Sequence, residues 1–233
     1  MIGRRMGMKM AGKKVQGIFI DRPNRFEAIV EIDGQREVVH VPNTGRMHEM
    51  LLPGTEVVVE QSDNPRRKTQ YSLKFVRKKG HWICIHSALA NRVFEEAVQS
   101  GVLDGVKGEL SREVAYGGSR MDFRIEGNPP TLVEVKCVTY EKEGLAMFPD
   151  APTVRGQRHV DELIRAVEAG YRGMIVFVAF MDFVTRFTPH CGIDPILGAK
   201  LKEAAEKGIT LRAFTCSIDF DEIALDREIP VCL

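Results

Sequence analysis

The sequence predicts an all-β domain followed by a mixed α/β domain. Three observations carry this. Short apolar segments separated by turn signals fill the first third of the chain. Near residue 85 the apolar period changes from that of a strand to that of a helix. The two parts also differ in charge. Residues 1–85 hold 16 Lys and Arg against 9 Asp and Glu, a net +7, whereas the rest hold 17 against 23, a net −6.

In the first part VQGIFI is an apolar strand. RFEAIVEI and REVVHV flank Asp33-Gly34, a dipeptide suited to a tight hairpin turn. TEVVVEQS follows the turn pair Pro53-Gly54, and YSLKFVRK alternates as a strand does. Five such strands within about 75 residues fit a small closed barrel of the oligonucleotide/oligosaccharide-binding (OB) type, and the pattern alone also admits an SH3-like barrel. The basic stretch before them, residues 1–14, lacks the apolar run of a signal peptide and reads as a mobile tail. The domain boundary is expected near Trp82–His86, which assigns residues 15–82 to the barrel and 83–233 to the second domain.

The second part opens on a helix in which Leu89, Val93, Ala97 and Val98 recur at helical spacing before Gly101. The strands REVAYG, RMDFRI and TLVEVKCVT follow. Then come a helix (GQRHVDELIRAVEAG), a strand (GMIVFVAF), a helix (PILGAKLKEAAEKG) and a strand (ITLRAFT). A strand after Gly208 excludes a helix-turn-helix there.

No apolar run approaches the roughly 20 residues of a membrane-spanning helix. The five cysteines are widely spaced, odd in number and form no CxxC, which argues against a disulfide framework or a zinc site. Reduced thiols in a cytoplasmic protein are expected.

TLVEVKCVT is the most informative segment. Alternation along a strand puts Glu134 and Lys136 on one side and Val133, Val135 and Cys137 on the other. A charge in a covered strand must be paired or bound to a metal. In RMDFRI, Met121, Phe123 and Ile125 define one face and leave Asp122 on the other. The short connection EGNPP makes the two strands neighbours and brings Asp122 towards Glu134. Two carboxylates and a lysine suit phosphodiester hydrolysis. The carboxylates hold Mg²⁺ or Mn²⁺, and the lysine orients water or neutralises developing charge. An Asp followed by Glu-x-Lys is the signature of PD-(D/E)XK nucleases; an ordinary ion pair at a strand end is the alternative.

The segments PNTGRM (42–47), LANRVFEEAV (89–98), EVAYGGSRMDF (113–123), EVK (134–136), FPDAPTVRGQRH (148–159) and TRFTP (185–189) occur in the order of the sugar fermentation stimulation protein family, which the chain resembles from about residue 15 to 230. The resemblance implies a DNA-binding protein with an N-terminal OB-like barrel and a C-terminal PD-(D/E)XK, restriction-endonuclease-like domain. It implies catalytic positions at Asp122, Glu134 and Lys136. It adds Glu96 on the first helix as the acid that completes a metal site with Asp122 and Glu134, its neighbour Glu95 facing solvent. Gln157 is implied as a polar residue aimed at the site from the next helix, flanked by Arg155 and His159. For His159 a helix-surface position is preferred to a role as general base.

For nucleic acid, Arg66, Arg67, Lys68, Lys74, Arg77, Lys78 and Lys79 lie within an acid-free stretch interleaved with Tyr71 and Phe75. Phosphates favour such cations and unstacked bases favour aromatic faces. Phe75 is expected in the core. Arg46 lies where it can line the groove, and Arg155 adds a cation at the second domain. With no base-reading element, binding to single- or double-stranded DNA is expected to show little sequence preference. The expected activity is that of a divalent-metal-dependent nuclease, and the alternative is a non-enzymatic DNA-binding protein on a nuclease-like frame.

Overall fold

Alternation of buried and exposed residues along Glu27–Ile32, with Ala28, Val30 and Ile32 inward, shows how the first domain closes. The computed structural model describes residues 7–233. In chain order the strands are β1 (Met8–Lys9), β2 (Lys14–Asn24), β3 (Glu27–Ile32), β4 (Gln35–His40), β5 (Glu56–Gln61), β6 (Tyr71–Lys78) and β7 (His81–Cys84). β2 pairs antiparallel with β3 and β5, β3 with β4, and β5 with β6. A short parallel pairing of β4 with β6 closes the ring. These five strands form the OB barrel, and β7 extends it from β6.

The second domain comprises α1 (Leu89–Gln99), β8 (Leu110–Tyr116), β9 (Ser119–Ile125), β10 (Thr131–Val138), β11 (Tyr140–Lys142), β12 (Leu145–Phe148), α2 (Val154–Glu168), β13 (Arg172–Ala179), β14 (Arg186–Pro189), α3 (Pro195–Glu206), β15 (Thr210–Ile218) and β16 (Glu222–Ile229). Its main sheet has the order β1-β16-β15-β13-β10-β9-β8. β10, β13 and β15 run parallel at its centre, where strands covered on both faces read as near-continuous apolar runs such as MIVFVAF. β11, β12 and β14 form a small separate sheet. No helix among the described residues is long and apolar enough to cross a membrane.

The expected mobile tail needs correction. Residues 1–6 lie outside the described residues, but Met8 and Lys9 pair with Ile223 and Glu222 of β16. Met8 and Met10 are buried among Leu89, Val93, Phe94 and Ile223. The start of the chain therefore covers an edge of the second domain before it enters the barrel. The alternation of Met with Gly and Lys is the period of a strand, but it spans too few residues to mark one in the sequence.

The domains share an extensive contact. One face of β6 looks into the barrel, and the other carries Phe75 against Phe220, with ring centroids 5.1 Å apart. Cys84 N–H donates to the Phe180 carbonyl at 3.1 Å. Lys78 Nζ donates to the Glu141 carbonyl at 2.6 Å and pairs with its carboxylate at 3.0 Å.

Met8 is 1% exposed. Met8→Ala should therefore cost about 2–5 kcal/mol, as for other core methionines, and lower the midpoint of chemical unfolding. A mobile tail would leave that midpoint unchanged.

Candidate active site

β10 and β9 pair from Thr131↔Ile125 to Val133↔Phe123 and then part. Beyond that point β9 continues only with β8, through Met121↔Val114. The Val135 N–H has no β9 carbonyl to meet, and Asp122 Oδ2 accepts it at 2.8 Å. Asp122 Oδ1 accepts from Asn91 Nδ2 of α1, also at 2.8 Å. Opposite Asp122 on β8, Glu113 has a positive φ of 54°, a conformation that costs a non-glycine residue free energy and tends to occur at functional positions. The fork between the strands thus opens at Asp122 and Glu134.

Glu134 is 2% exposed. Lys136 Nζ and His159 Nδ1 both contact its Oε1 at 2.5 Å. Its Oε2 is buried without a hydrogen-bond partner. Burial pushes the Glu134 carboxyl up, but the bonds from His159 and Lys136 together outweigh burial and hold it below the usual range. Asp122 shifts the other way: burial and the neighbouring Glu134 charge raise it, and the bonds from Val135 and Asn91 only partly compensate. A pair of acids whose pKa values are driven apart marks a site of charge stress.

His159 is the residue that sequence reasoning undervalued. It is 4% exposed on the inner face of α2. Arg155 Nε donates to its Nε2 at 3.3 Å. Arginine can only donate, so Nε2 accepts and the ring is the neutral Nδ1–H form, donating to Glu134. Its spacing from Gly156, Val160 and Leu163 puts it on the apolar stripe of α2, a periodic signal that was available in the sequence.

The other expected residues divide. Gln157 does not reach Glu134; its Nε2 donates to both oxygens of Asp194, at 3.0 and 3.1 Å. Asp194 caps α3 through Leu197 N–H and also accepts from Thr153 N–H. Glu96 is not brought to the fork. Among the described residues no three His, Cys, Asp or Glu side chains gather as a metal-binding group. Asn91 and Glu95, one turn apart, face β8 and β9; Glu95 pairs with Arg112 at 3.0 Å rather than facing open solvent. Glu96 lies about 100° further round the helix.

The basic hairpin is largely spent on the protein itself. Lys74, 6% exposed, sits between Glu60 at 3.2 Å and His86 Nδ1 at 2.9 Å. Burial and Lys74 push His86 down to about 4, so it accepts as a neutral ring. Lys78 is held by Glu141 as described. Neither lysine can meet a phosphate, because the second domain covers this part of β6, which the linear sequence does not reveal. Tyr71 is half-buried against the barrel core. Arg67 donates to Ser72 Oγ at 3.0 Å, and Arg77 pairs with Glu56 and lies over the Trp82 ring. Arg66, Lys68 and Arg46 remain exposed, with Lys68 bonded to Glu27. A second basic group was not anticipated as such: Arg120 and Arg158 join Arg155 around a surface hollow that includes His159.

Asp122→Asn should raise thermal stability at neutral pH. The raised carboxyl of Asp122 imposes a cost that is fully present above its folded pKa and vanishes as pH falls below its unfolded value. The melting advantage of the variant should therefore shrink on acidification through the carboxylate range. An advantage independent of pH would refute the charge conflict.

Comparison with known proteins agrees with this architecture. The SfsA N-terminal OB domain matches residues 20–85, and the sugar fermentation stimulation protein RE domain matches residues 88–222. The chain is 42% identical over 222 residues to a sugar fermentation stimulation protein homolog of Caldanaerobacter subterraneus subsp. tengcongensis, covering 94% of this chain and 97% of that one. A homolog from Alkaliphilus metalliredigens is 42% identical over 231 residues, covering 97% and 100%. The solved structure of Pyrococcus furiosus SfsA in complex with Ca²⁺ superposes with a TM-score of 0.88 at 33% identity, covering 98% of this chain and 100% of that one. The chain therefore belongs to the sugar fermentation stimulation protein family, with an OB domain followed by a restriction-endonuclease-like domain.

Proposed function

We propose that the protein is a divalent-metal-dependent nuclease that binds DNA with little sequence preference. The observation that carries this is the fork at Asp122 and Glu134, where two carboxylates meet with one Glu134 oxygen unpartnered and the Lys136 ammonium alongside. The donor set fits Mg²⁺ or Mn²⁺, which take oxygen ligands and are often held by one or two carboxylates plus water. Asp122 and Glu134 would hold the cation, which would also relieve the charge conflict between them. When bound, it supplies charge neutralisation at the phosphate and a more acidic water.

The chain's own groups have separable roles in this reading. An ammonium has three donors; Glu134 Oε1 takes one, and the others remain for a water or a phosphate oxygen. His159, through Nδ1–H, fixes Oε1 and leaves Oε2 free. Arg155 holds His159 through Nε, and its terminal N–H groups, with Arg120 and Arg158, form a phosphate-binding edge. Arg46, Arg66 and Lys68 are the exposed cations that the barrel adds. A reducing, cytoplasmic location suits the five free cysteines, and burial pushes the Cys84 thiol up to about 12 and leaves it inert. Among the described residues no three acidic, His or Cys side chains gather as a metal-binding set, which favours a second reading, a non-cleaving DNA-binding protein on the same frame.

Incubation of the protein with single-stranded and duplex DNA, in Mg²⁺ or Mn²⁺ and in chelator, separates the two. Metal-dependent products from wild type, reduced by about 100-fold or more in Lys136→Ala, are expected. Binding without products under every condition would leave only the second reading.

Replacing Arg120 and Arg158 together with alanine should weaken DNA binding and flatten its dependence on salt by about two phosphate contacts. Equal weakening by Lys74→Gln in a fully folded protein would contradict this assignment of the surface.

A further inference from the structure

A cavity of about 390 Å³ lies between the two domains and has no role in the chemistry above. Its floor is β10. Val135, whose N–H binds Asp122, and Lys136, whose ammonium binds Glu134, both line it. The cavity thus begins where the phosphate site ends. One wall is the barrel loop Asn43–Gly45, and the other is the segment after β12, with Phe148, Asp150 and Thr153.

The barrel wall is held firmly. The Arg22 guanidinium donates to the carbonyls of Asn43, Gly45 and Arg46 at 2.7–2.9 Å. Asn43 Oδ1 accepts from Gly45 N–H at 2.8 Å. Gly45 presses so closely on the far wall that a β-carbon there would stand 1.8 Å from Asp150 Oδ2. Glycine at 45 is what lets this loop meet the Asp150 carboxylate. No other side chain among the described residues hydrogen-bonds that carboxylate. Burial raises Asp150; a bond from its own backbone N–H and the charges of Arg22 and Arg46 only partly offset this.

The lining combines aromatic and polar groups. Tyr140 is fixed by the His190 ring, 4.8 Å away, and Phe148 packs on Phe177 at 6.1 Å. Asn43, Asp150 and Thr153 add donors and acceptors. The volume is at the lower end of small-ligand sites, roughly 300–1,000 Å³, and the space is walled on both sides. A stacked base within a duplex cannot enter it, whereas a base rotated out of its stack can, and such bases are held by aromatic walls and by hydrogen bonds to their edges.

We propose that this cavity accepts one unstacked nucleobase of the strand whose phosphate lies at Asp122, Glu134 and Lys136, with Asp150 as the hydrogen-bond partner of the base edge. The proposal rests on the nucleic-acid reading above and adds a base-holding subsite to it. It makes the barrel loop part of the site, so that neither domain alone holds the base.

The test uses the full chain with Ca²⁺ and a single strand carrying 2-aminopurine, whose emission rises when the base leaves its stack. Anisotropy of an end label reports strand binding separately. Wild type should bind and brighten the probe. Ala151→Trp, which fills the cavity, and Asp150→Asn should each lose the brightening and bind roughly tenfold more weakly, while still unfolding cooperatively, Asp150→Asn at or above the wild-type melting temperature. Should Asp150→Asn fail to fold, Ala151→Trp still decides. A strand that binds with unchanged emission would overturn the pocket and leave the nucleic-acid reading intact. The pocket would equally fall if both folded variants behaved as wild type. No strand binding by wild type would overturn both. If free 2-aminopurine nucleoside monophosphate bound as tightly as the strand, the cavity would serve a free nucleotide and extrusion would be refuted.

Discussion

The Glu134 carboxylate in the covered central strand is the constraint on which the rest of the second domain depends. A charge at that depth is tolerated only with partners, and both come from fixed directions. Lys136 arrives from the same strand two residues on. His159 arrives from α2, so α2 must cross the sheet at one rotation and one height. Thr153 caps that helix, accepting Gly156 N–H at 3.0 Å, and Asp194 ties Thr153 and Gln157 to the start of α3. The path from the buried acid thus runs through two helices. Gln157 serves it as a structural tie rather than as a group at the reacting centre.

The domains are joined by the same rule applied to the opposite charge. Lys74 and Lys78 lie on a strand that the second domain covers; buried Lys74 pairs with Glu60 of the barrel itself, and half-buried Lys78 pairs with Glu141 across the interface. Bonds from Gly144 N–H and Lys78 to the Glu141 carboxyl outweigh the effect of its burial and hold it below its usual range. Positive charge that reads as a nucleic-acid surface along the chain is in part the glue between domains. The exposed cations lie elsewhere, at the rim near His159 and on the open loops of the barrel. Because the domains are locked in this way, the loop at Gly45 can stand against Asp150 with little room to spare.

The parting of β9 from β10 also explains why two adjacent acids differ. Asp122 sits where strands part, with its oxygens on Val135 and Asn91, and pays for proximity to Glu134. Glu134 has surrendered one oxygen to His159 and Lys136. The asymmetry leaves one carboxylate oxygen free in a dry place.

Local pattern was enough for the barrel strands, the helices and the Asp122–Glu134–Lys136 set, because alternation of period 2 or 3.6 and short turns are properties of neighbouring residues. His159 was within reach of the same reasoning, since it repeats with the buried stripe of α2. What the chain order could not convey depends on partners distant in sequence. β1 is a strand only because β16 has an open edge. Asn91 and Glu95 rather than Glu96 face the site because the sheet beneath α1 sets the helix rotation. Lys74 is buried and Lys78 partly covered because the second domain closes over β6, and Gly45 meets Asp150 across 104 residues of intervening chain. Each of these is decided by which surfaces pack together, a choice made by the burial of the whole core and invisible in any single segment.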